Sequence, residues 1–555
     1  MAKTTNPLVE VEFIDESNYT TATDTDDIVG VVVESDWGTP DKLTILDSPG
    51  WQAFFNPFGT AVGNYSQAAV SRTLSSGTSY VEVLRLASKE KYMYLSFVKG
   101  ADSVKIVQQD AGFDLVSADE SSVIAGFPVE EGESMFGLLR YRYPRGFNGY
   151  VTLSEVNTTR TIQGLPAGAK VYSLSLYVNQ SPDDINPVAS ETYQVTFFRV
   201  SVDGESLYYA DVINSKSQYF ICPEDFEATE EMSLTLGALE PFEFTAPAAT
   251  GAYDESDYVK AYGKFMDREQ SSSTLLISTF DPALEDETYE STVKYTIASI
   301  VEKRMDVVGL VGGPKATLFK SADSVTNKEA IEDYFAIMTN AGMFINQLAA
   351  SEKVKFLNKV YLLDGTALLA GRISAVAKLY NNRNRLPSYK TDGGVSATLT
   401  KSLEFSDVVD LMETSGIGSI YSSSSGNYIF NIRTAYPLQT KYFARLNVMR
   451  VTAAVLRWLL TDVEYVIHTD VVSDQTSLLS FQDRCNAKLS EMIARGELKE
   501  QSSIVCSPEI NTDSLSNGGE CLNIEAYLWY KKLAERVKIK VIATDTTTQV
   551  NLAQE

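Results

Sequence analysis

Along this chain the spacing of apolar residues changes period several times. IVGVVVES, from Ile28, is a continuous apolar run of strand length, stopped by the turn-forming DWGTPDK, and KLTIL gives a second short strand. Ser48-Pro49 starts a helix carrying the aromatic residues of GWQAFFNPFG, because proline is tolerated in a first helical turn. A further helix is predicted over Ser66–Ser75, and SYVEVLRL, 79–86, alternates as a strand does.

From 91 to about 245 the rhythm is different. Short strands are predicted in YMYLSFV, SVKIV, YVTLSEV, KVYSLSLYV, TYQVTFFRV and SLYYADV, separated by Gly, Asp, Asn and Pro. From 253 helices and apolar strands alternate again. A helix over Ser256–Asp267 precedes the strand TLLISTF, and one over Glu290–Lys303 precedes MDVVGLV. Helices over Lys328–Met338 and Ala341–Ala350 then lead to the strand KVYLLDG. The fold class is therefore α/β: a discontinuous layered core, interrupted by a mostly β insertion.

YFARLNVMRVTAAVLRWLL, 442–460, is the most apolar long stretch, yet three arginines interrupt it. At about 100° per residue, Ala444, Val448, Val451, Val455 and Leu459 form one apolar face, and Leu446, Met449, Ala453, Leu456 and Leu460 a second. Narrower ridges lie between them, one of Arg445 and Thr452, the other of Asn447, Arg450 and Arg457. A membrane-surface helix has one broad polar face, and a spanning helix does not readily accept Arg450 at its middle. Burial on two sides is expected, with the arginines at seams. There they meet carboxylates or face another chain; the family resemblance given below makes Arg445, Arg450 and Arg457 candidate subunit or tube contacts.

Beyond it, SLLSFQDRCNAKLSEMIARGELKE reads as an amphipathic helix broken at Gly496, and SSIVCS as a strand. In RVKIKVIATD, Val537, Ile539 and Val541 face one way and Lys538 and Lys540 the other. At the opposite end, Leu8, Val9, Val11 and Phe13 belong to a second short strand, Leu8–Ile14, followed by the polar tract SNYTTATDTDD. Neither terminal strand belongs to a complete local unit. Strands of this kind can add to a neighbour's sheet without splitting a core, so both are candidate linking strands; for residues 1–27 the alternatives are a strand that joins a later sheet of its own chain and a disordered tail.

Charge sharpens the picture. The 555 residues include 73 Asp or Glu against 47 Lys or Arg, a net charge of −26. Residues 441–555 hold 13 basic and 15 acidic residues, leaving 34 against 58 elsewhere. The last fifth is nearly neutral, which fits a part enclosed in an assembly and equally an ordinary difference between domain surfaces. A chain this acidic lacks the basic footprint of a nucleic-acid binder. Its length suits two to four domains. MAKTTNPLVEVEFIDE has no basic-then-apolar signal pattern and no run of 18 uncharged apolar residues occurs, so a soluble cytoplasmic product without stable membrane insertion is expected.

Candidate chemistry is sparse. Cys222, Cys485, Cys506 and Cys521 make no CxxC pair, and the lone His468 cannot complete a multi-histidine metal site. VGLVGGPKATLF, 308–319, fails the GxxxxGK[ST] spacing, and Pro314 removes an amide that a phosphate cradle uses. No GxSxG, HExxH or EF-hand loop is present. The residues read as a non-enzyme without metal or cofactor.

An ordered set of short motifs resembles the contractile tail sheath proteins of bacteriophages and related injection machines. It comprises Gly30-Val31, Trp37-Gly38-Thr39-Pro40, Phe58-Gly59, LSSGTSYVEVLRLA with Gly77 and Arg85, and RYPRGFNGYVTL with Tyr143-Pro144, Gly146, Asn148 and Gly149. It continues through Asp364, Gly365, Ala370 and Gly371, then Leu403 to Gly418, NIRTAYP, ARGEL, IVCSPEINT and VKIKVIA. Residues 381–395 depart from the family's proline-and-alanine-rich wording, and 91–140 and 155–245 are least alike.

The resemblance implies a linking arm at 1–27, core at 28–90, an outer β domain at 91–245 and core again at 246–370. Residues 371–536 would be the core nearest the tube, and 537–555 a linking strand and tail. It further implies stacked six-fold rings around a tail tube protein, with baseplate and tail terminator partners and contraction that drives genome ejection. The location implied is the virion's contractile tail, assembled in the host cytoplasm. A surface or adhesin-like virion protein, its β insertion binding a receptor, is the alternative.

Overall fold

The computed structural model describes residues 27–57, 59, 61–90, 92–99, 104–109, 134–144, 148–156, 170–202, 205–223, 242–244, 252–284, 291–313, 344–348, 350–387, 392, 394–400, 416–430, 432–436, 442–464, 475–511 and 522–531. Two compact units divide the chain: residues 1–381 with 385–454, and residues 382–384 with 455–555.

The first unit is built on a six-stranded sheet in the order Ile345–Leu348, Val308–Gly312, Leu275–Ile277, Ile28–Glu34, Tyr80–Leu86, Thr44–Leu46. All neighbours run parallel except the antiparallel edge strand Thr44–Leu46. A parallel strand covered on both faces needs an unbroken apolar run, which is why IVGVVVE is buried at every position before Glu34. Helix Ser48–Phe55 starts where Asp47 accepts the Gly50 amide at 2.8 Å, and it buries Trp51, Phe54 and Phe55. Helix Tyr65–Ser75 is capped by Asn64, which accepts the Gln67 amide at 2.9 Å.

Helices Tyr65–Ser75 and Thr366–Tyr380 pack on each other and on the sheet. They come close together at Gly371, where a side chain would collide with Ser76 Cβ and the Thr73 carbonyl, both 2.4 Å from an ideal Cβ. Helices Glu255–Tyr262 and Thr292–Arg304 form a second packed pair. Gly30 is the matching close approach within the sheet: an added Cβ would lie 2.4 Å from Ser273 Oγ and 2.5 Å from Leu276 Cδ2. Its register partner Glu82 is buried and accepts the Ser272 and Ser273 amides at 2.9 and 3.0 Å and the Ser271 hydroxyl at 2.8 Å. One carboxylate therefore ties the loop that opens the later strands to a strand laid down nearly 200 residues earlier.

Residues between these two parts form antiparallel sheets. One orders Phe220–Ile221, Ser134–Tyr141, Tyr94–Lys99 and Val104–Gln109; the other orders Phe242–Phe244, Gly149–Glu155, Tyr172–Val178 and Glu191–Val195. Tyr172–Val178 alternates strictly between buried and half-buried positions. Their shared core is aromatic, with Phe97, Phe136, Phe197, Tyr141 and Tyr209 buried among leucines and valines.

Two expected elements are different. SLYYADV, expected as a strand, leads into helix Tyr209–Lys216, because Tyr209, Val212 and Ile213 recur at helical spacing and all three are buried. Ala341–Ala350, expected as a helix, contains instead the parallel edge strand Ile345–Leu348. Ile345 and Leu348 mimic helical spacing, but pairing with Val308–Gly312 decides the outcome. The expected helix over Lys328–Met338 lies outside the described residues.

The second unit contains helix Gln475–Ala494, which buries Leu478, Phe481, Cys485, Leu489 and Met492. Gly496, with φ 76°, makes the left-handed turn that ends this segment. Ser503–Val505 and Glu525–Tyr527 then pair as a two-stranded antiparallel sheet. Among the described residues, no helix is long and apolar enough to cross a membrane.

Candidate assembly surfaces

The arginine-bearing segment is a short 3₁₀ turn, Tyr442–Ala444, followed by helix Leu446–Glu464. Ala444, Val448, Val451, Val455 and Leu459 are all buried, as are Leu446, Met449 and Ala453 of the second face. The three arginines have different surroundings. Arg450 is 3% exposed and places Nη2 2.6 Å from Asp27 Oδ2. Asp27 Oδ1 in turn accepts the Thr274 hydroxyl at 3.2 Å, and Thr274 Oγ1 accepts the Ile28 amide at 3.0 Å. The base of the segment 1–27 is thereby pinned at the start of the central core strand. Arg445 is half-buried, with its guanidinium 5.5 Å from the Tyr442 ring centre, and Tyr442 and Phe443 beside it are exposed. Arg457 is half-buried one turn before Thr461, whose hydroxyl donates to the Arg457 carbonyl at 3.0 Å.

Several sequence motifs converge on Arg85. Its Nε donates to the Ser35 carbonyl at 2.6 Å, Nη1 to the Gly38 carbonyl at 2.7 Å, and Nη2 to Pro144 O at 3.2 Å and to Glu90. Trp37 packs edge-on against Tyr143, ring centres 4.9 Å apart, and the Thr39 and Tyr143 hydroxyls are 3.2 Å apart. Gly38, at φ 104°, presses on the Phe54 ring, where a side chain has no room. The WGTP, Arg85 and Tyr143-Pro144 motifs thus form one junction between the core sheet and the antiparallel sheets.

Burial raises the thiols of Cys222, Cys485 and Cys506, Cys485 to about 11, so they stay protonated. Among the described residues, no group of three or more His, Cys, Asp or Glu could hold a metal. Gly309 and Gly312 sit in a buried strand, Val308–Gly312. His468 and Cys521 lie outside the described residues.

Two sheet edges stand out. In the second unit every residue of Glu525–Tyr527 is exposed, with Tyr527 at 52% and nearby Trp529 at 56%. In the first unit, hairpin Ser351–Phe356 and Lys359–Asp364 is extended, among the described residues, by Thr398–Leu399 on one side only. Along its outer strand, Val360 is 65% and Leu362 50% exposed. That strand borders a cleft of about 310 Å³ lined also by Asp281, Pro282, Ala283, Lys294, Gly313 and Ala350. Tyr361 Oη is buried without a hydrogen-bond partner. Asp364 accepts the Thr366 amide at 3.2 Å and the Thr366 hydroxyl; burial pushes its carboxyl up, partly offset by Thr366 and Lys294. The candidate linking residues Leu8, Val9, Val11, Phe13, Val537, Ile539 and Val541 lie outside the described residues.

No protein-family model matches the sequence, and no curated protein does. Solved structures do. A sheath tail protein from Desulfitobacterium hafniense aligns over 92% of this chain and 95% of its own, with TM-score 0.50 and 10% identity. A sheath tail protein from Listeria innocua aligns over 87% and 89%, with TM-score 0.53 and 11% identity. The chain has the fold of sheath tail proteins.

Proposed function

We propose that this chain is the structural subunit of a contractile sheath. On this reading it polymerises as stacked six-fold rings around a tail tube, between baseplate and terminator, in a phage-type virion assembled in the host cytoplasm. Contraction then drives the tube through the host envelope for genome ejection. The observation that carries this reading is the likeness to two sheath tail proteins across nearly their whole lengths. The discontinuous core, the antiparallel portion as an outer insertion and the segments 1–27 and 537–555 as linking arms belong to the same proposal.

The physical requirement is a rigid subunit with two lattice packings and tethers that survive the change between them. A two-stranded sheet is marginal by itself, so Ser503–Val505 and Glu525–Tyr527, with Tyr527 and Trp529 exposed, suit completion by a further strand. Energy would reside in subunit contacts, so the subunit needs no enzymatic activity, nucleotide or cofactor. Arg445 and Arg457 are proposed as subunit or tube contacts. Arg450, committed to Asp27, would act from inside by holding the root of the arm.

Negative-stain microscopy of the purified chain tests the reading: hollow cylinders are expected, and monodisperse monomer under all conditions, with or without tube protein, would count against it. A receptor-binding surface protein is the second reading. It is favoured by one feature, the loop between Tyr172–Val178 and Glu191–Val195, where Ile185 is 94% and Val188 73% exposed. Under that reading the protein would bind host surfaces without co-assembling with tube protein.

A further inference from the structure

The antiparallel sheet containing Gly149–Glu155, Tyr172–Val178 and Glu191–Val195 has two chemically different faces. Strand alternation sends Val151, Leu153, Leu174, Leu176 and Val195 into the aromatic core. On the opposite face the register aligns side chains in rows: Tyr150 with Tyr177, Thr152 with Ser175 and Thr192, and Ser154 with Ser173 and Gln194. Apart from Tyr150, which is buried, all of these are half-buried or exposed. The Tyr150 and Tyr177 rings stack with centres 4.1 Å apart and planes 7° apart. The Ser175 and Thr192 hydroxyls lie 3.1 Å from each other.

In a chain with 22% charged residues these rows carry none, and they carry no aliphatic side chain. Charge stops at their margins. Glu155 pairs with Lys170 at 2.8 Å where one strand ends, and Asp184 accepts the Ser181 amide at 2.7 Å in the loop beyond the other end. Glu243 occupies the register position beside Tyr150 on Phe242–Phe244. Glu191 belongs by alternation to the other face and accepts the Gln218 amide at 2.6 Å.

The composition of the rows selects the partner. A polyanion requires lysine or arginine, and a protein interface requires an apolar centre; the rows offer neither. A neutral sugar requires hydroxyl and amide groups that both donate and accept, matching its own hydroxyls, and a flat ring with a polar rim against its C–H face. Neighbouring strands about 4.8 Å apart, and same-face residues about 6.8 Å apart along each, bring several such groups within reach of one sugar ring. Because Tyr150 already holds the Tyr177 ring, that surface is ordered before a ligand arrives.

We propose that this face binds a neutral polysaccharide of a cell surface, with Tyr177 as the stacking ring and Ser173, Ser175, Thr192 and Gln194 as hydrogen-bonding partners. The proposal goes beyond the sheath reading and does not depend on assembly.

The test uses the full-length protein in native gels cast with dextran, mannan, galactan or a soluble β-glucan, with polygalacturonate as the charged counterpart. Retardation by at least one neutral polymer and none by polygalacturonate is expected. It should be equal at low and high salt, because no charge takes part. Tyr177→Ala should weaken binding roughly tenfold. Thr192→Lys combined with Gln194→Lys, at exposed positions, should weaken it by a similar factor, and melting temperatures like the parent's show that these variants are folded. Val188→Ser, in the adjoining loop, should bind as the parent does.

Migration unaffected by any of the neutral polymers would overturn the proposal. Equal retardation by polygalacturonate, parental binding in both face variants, or binding lost with Val188→Ser would do the same. Cylinders in microscopy bear on assembly alone, so the sheath reading and this one can fail separately.

Discussion

Arg450 Nη2 lies 2.6 Å from Asp27 Oδ2, and both side chains are almost wholly buried, so helix Leu446–Glu464 holds the residue at which the amino-terminal segment joins the core. A buried charge left without its partner is costly. Arg450→Met is expected to destabilise the protein by about 3–5 kcal/mol, and the double variant with Asp27→Leu to recover much of that loss. Urea unfolding of the two single variants and the double variant measures the coupling. Additive losses would show that the pair is not coupled as the geometry requires.

Arg85 serves three carbonyls and one carboxylate from a single guanidinium. Lysine retains the charge but not the planar fork. Arg85→Lys should therefore lower stability by roughly 2–4 kcal/mol and raise amide exchange selectively around Gly38 and Tyr143. Unchanged exchange at both places would contradict the junction described above.

The Gly371 contact makes a prediction opposite in sign to helix propensity. Alanine is the better helix former by about 1 kcal/mol, yet its methyl would meet Ser76 Cβ and the Thr73 carbonyl at 2.4 Å. Gly371→Ala is expected to destabilise by about 1–3 kcal/mol, seen as a lower melting temperature. A stabilised variant would mean the two helices can separate without loss.

Asp364 gives stability a pH dependence. Its carboxyl is raised above the usual 3.8 chiefly by burial, so the folded state holds this proton more tightly than the unfolded chain. Its contribution is fully present below the unfolded value and is lost as pH rises through the folded one. Asp364→Asn, which cannot ionise, should therefore gain stability relative to the parent as pH is raised from about 4 towards neutrality. Denaturant midpoints of both proteins across that range decide it, and a constant difference would refute the assignment.

Removing residues 1–20 should leave a soluble, folded monomer that no longer forms long tubes, because Asp27 and the core strand behind it remain intact. Circular dichroism and negative-stain microscopy together check this. Normal tubes from the truncated protein would rule out the arm as a required tether.

Much of the fold was legible where a local pattern and tertiary burial agree. IVGVVVE reads as a fully covered strand and is one; the first apolar face of the arginine helix is buried throughout, while the second is buried at Leu446, Met449 and Ala453 and half-buried at Leu456 and Leu460. The pattern misled at Ile345–Leu348, where four residues are too few to separate helical from strand spacing and the pairing partner lies over thirty residues away. The candidate surfaces were less legible. Arg85 and Gly38 stood out as motif residues, but nothing local reveals that one guanidinium spans Ser35, Gly38 and Pro144. The bare edge at Val360 and Leu362 was hidden as well, because KVYLLDG reads like an ordinary strand and only the sheet order exposes its outer side.

The central position of Ile28–Glu34 also sets a schedule for synthesis. One of its two neighbours, Tyr80–Leu86, emerges soon after it, but the other, Leu275–Ile277, is some 240 residues downstream. At about 5–20 residues per second, the ribosome leaves this most apolar strand with one side open for roughly 10–50 s. A nascent chain in that interval presents the kind of unpaired apolar edge that chaperones hold. The yield of folded subunit should then depend on elongation rate through the antiparallel portion as well as on the stability of the finished sheet.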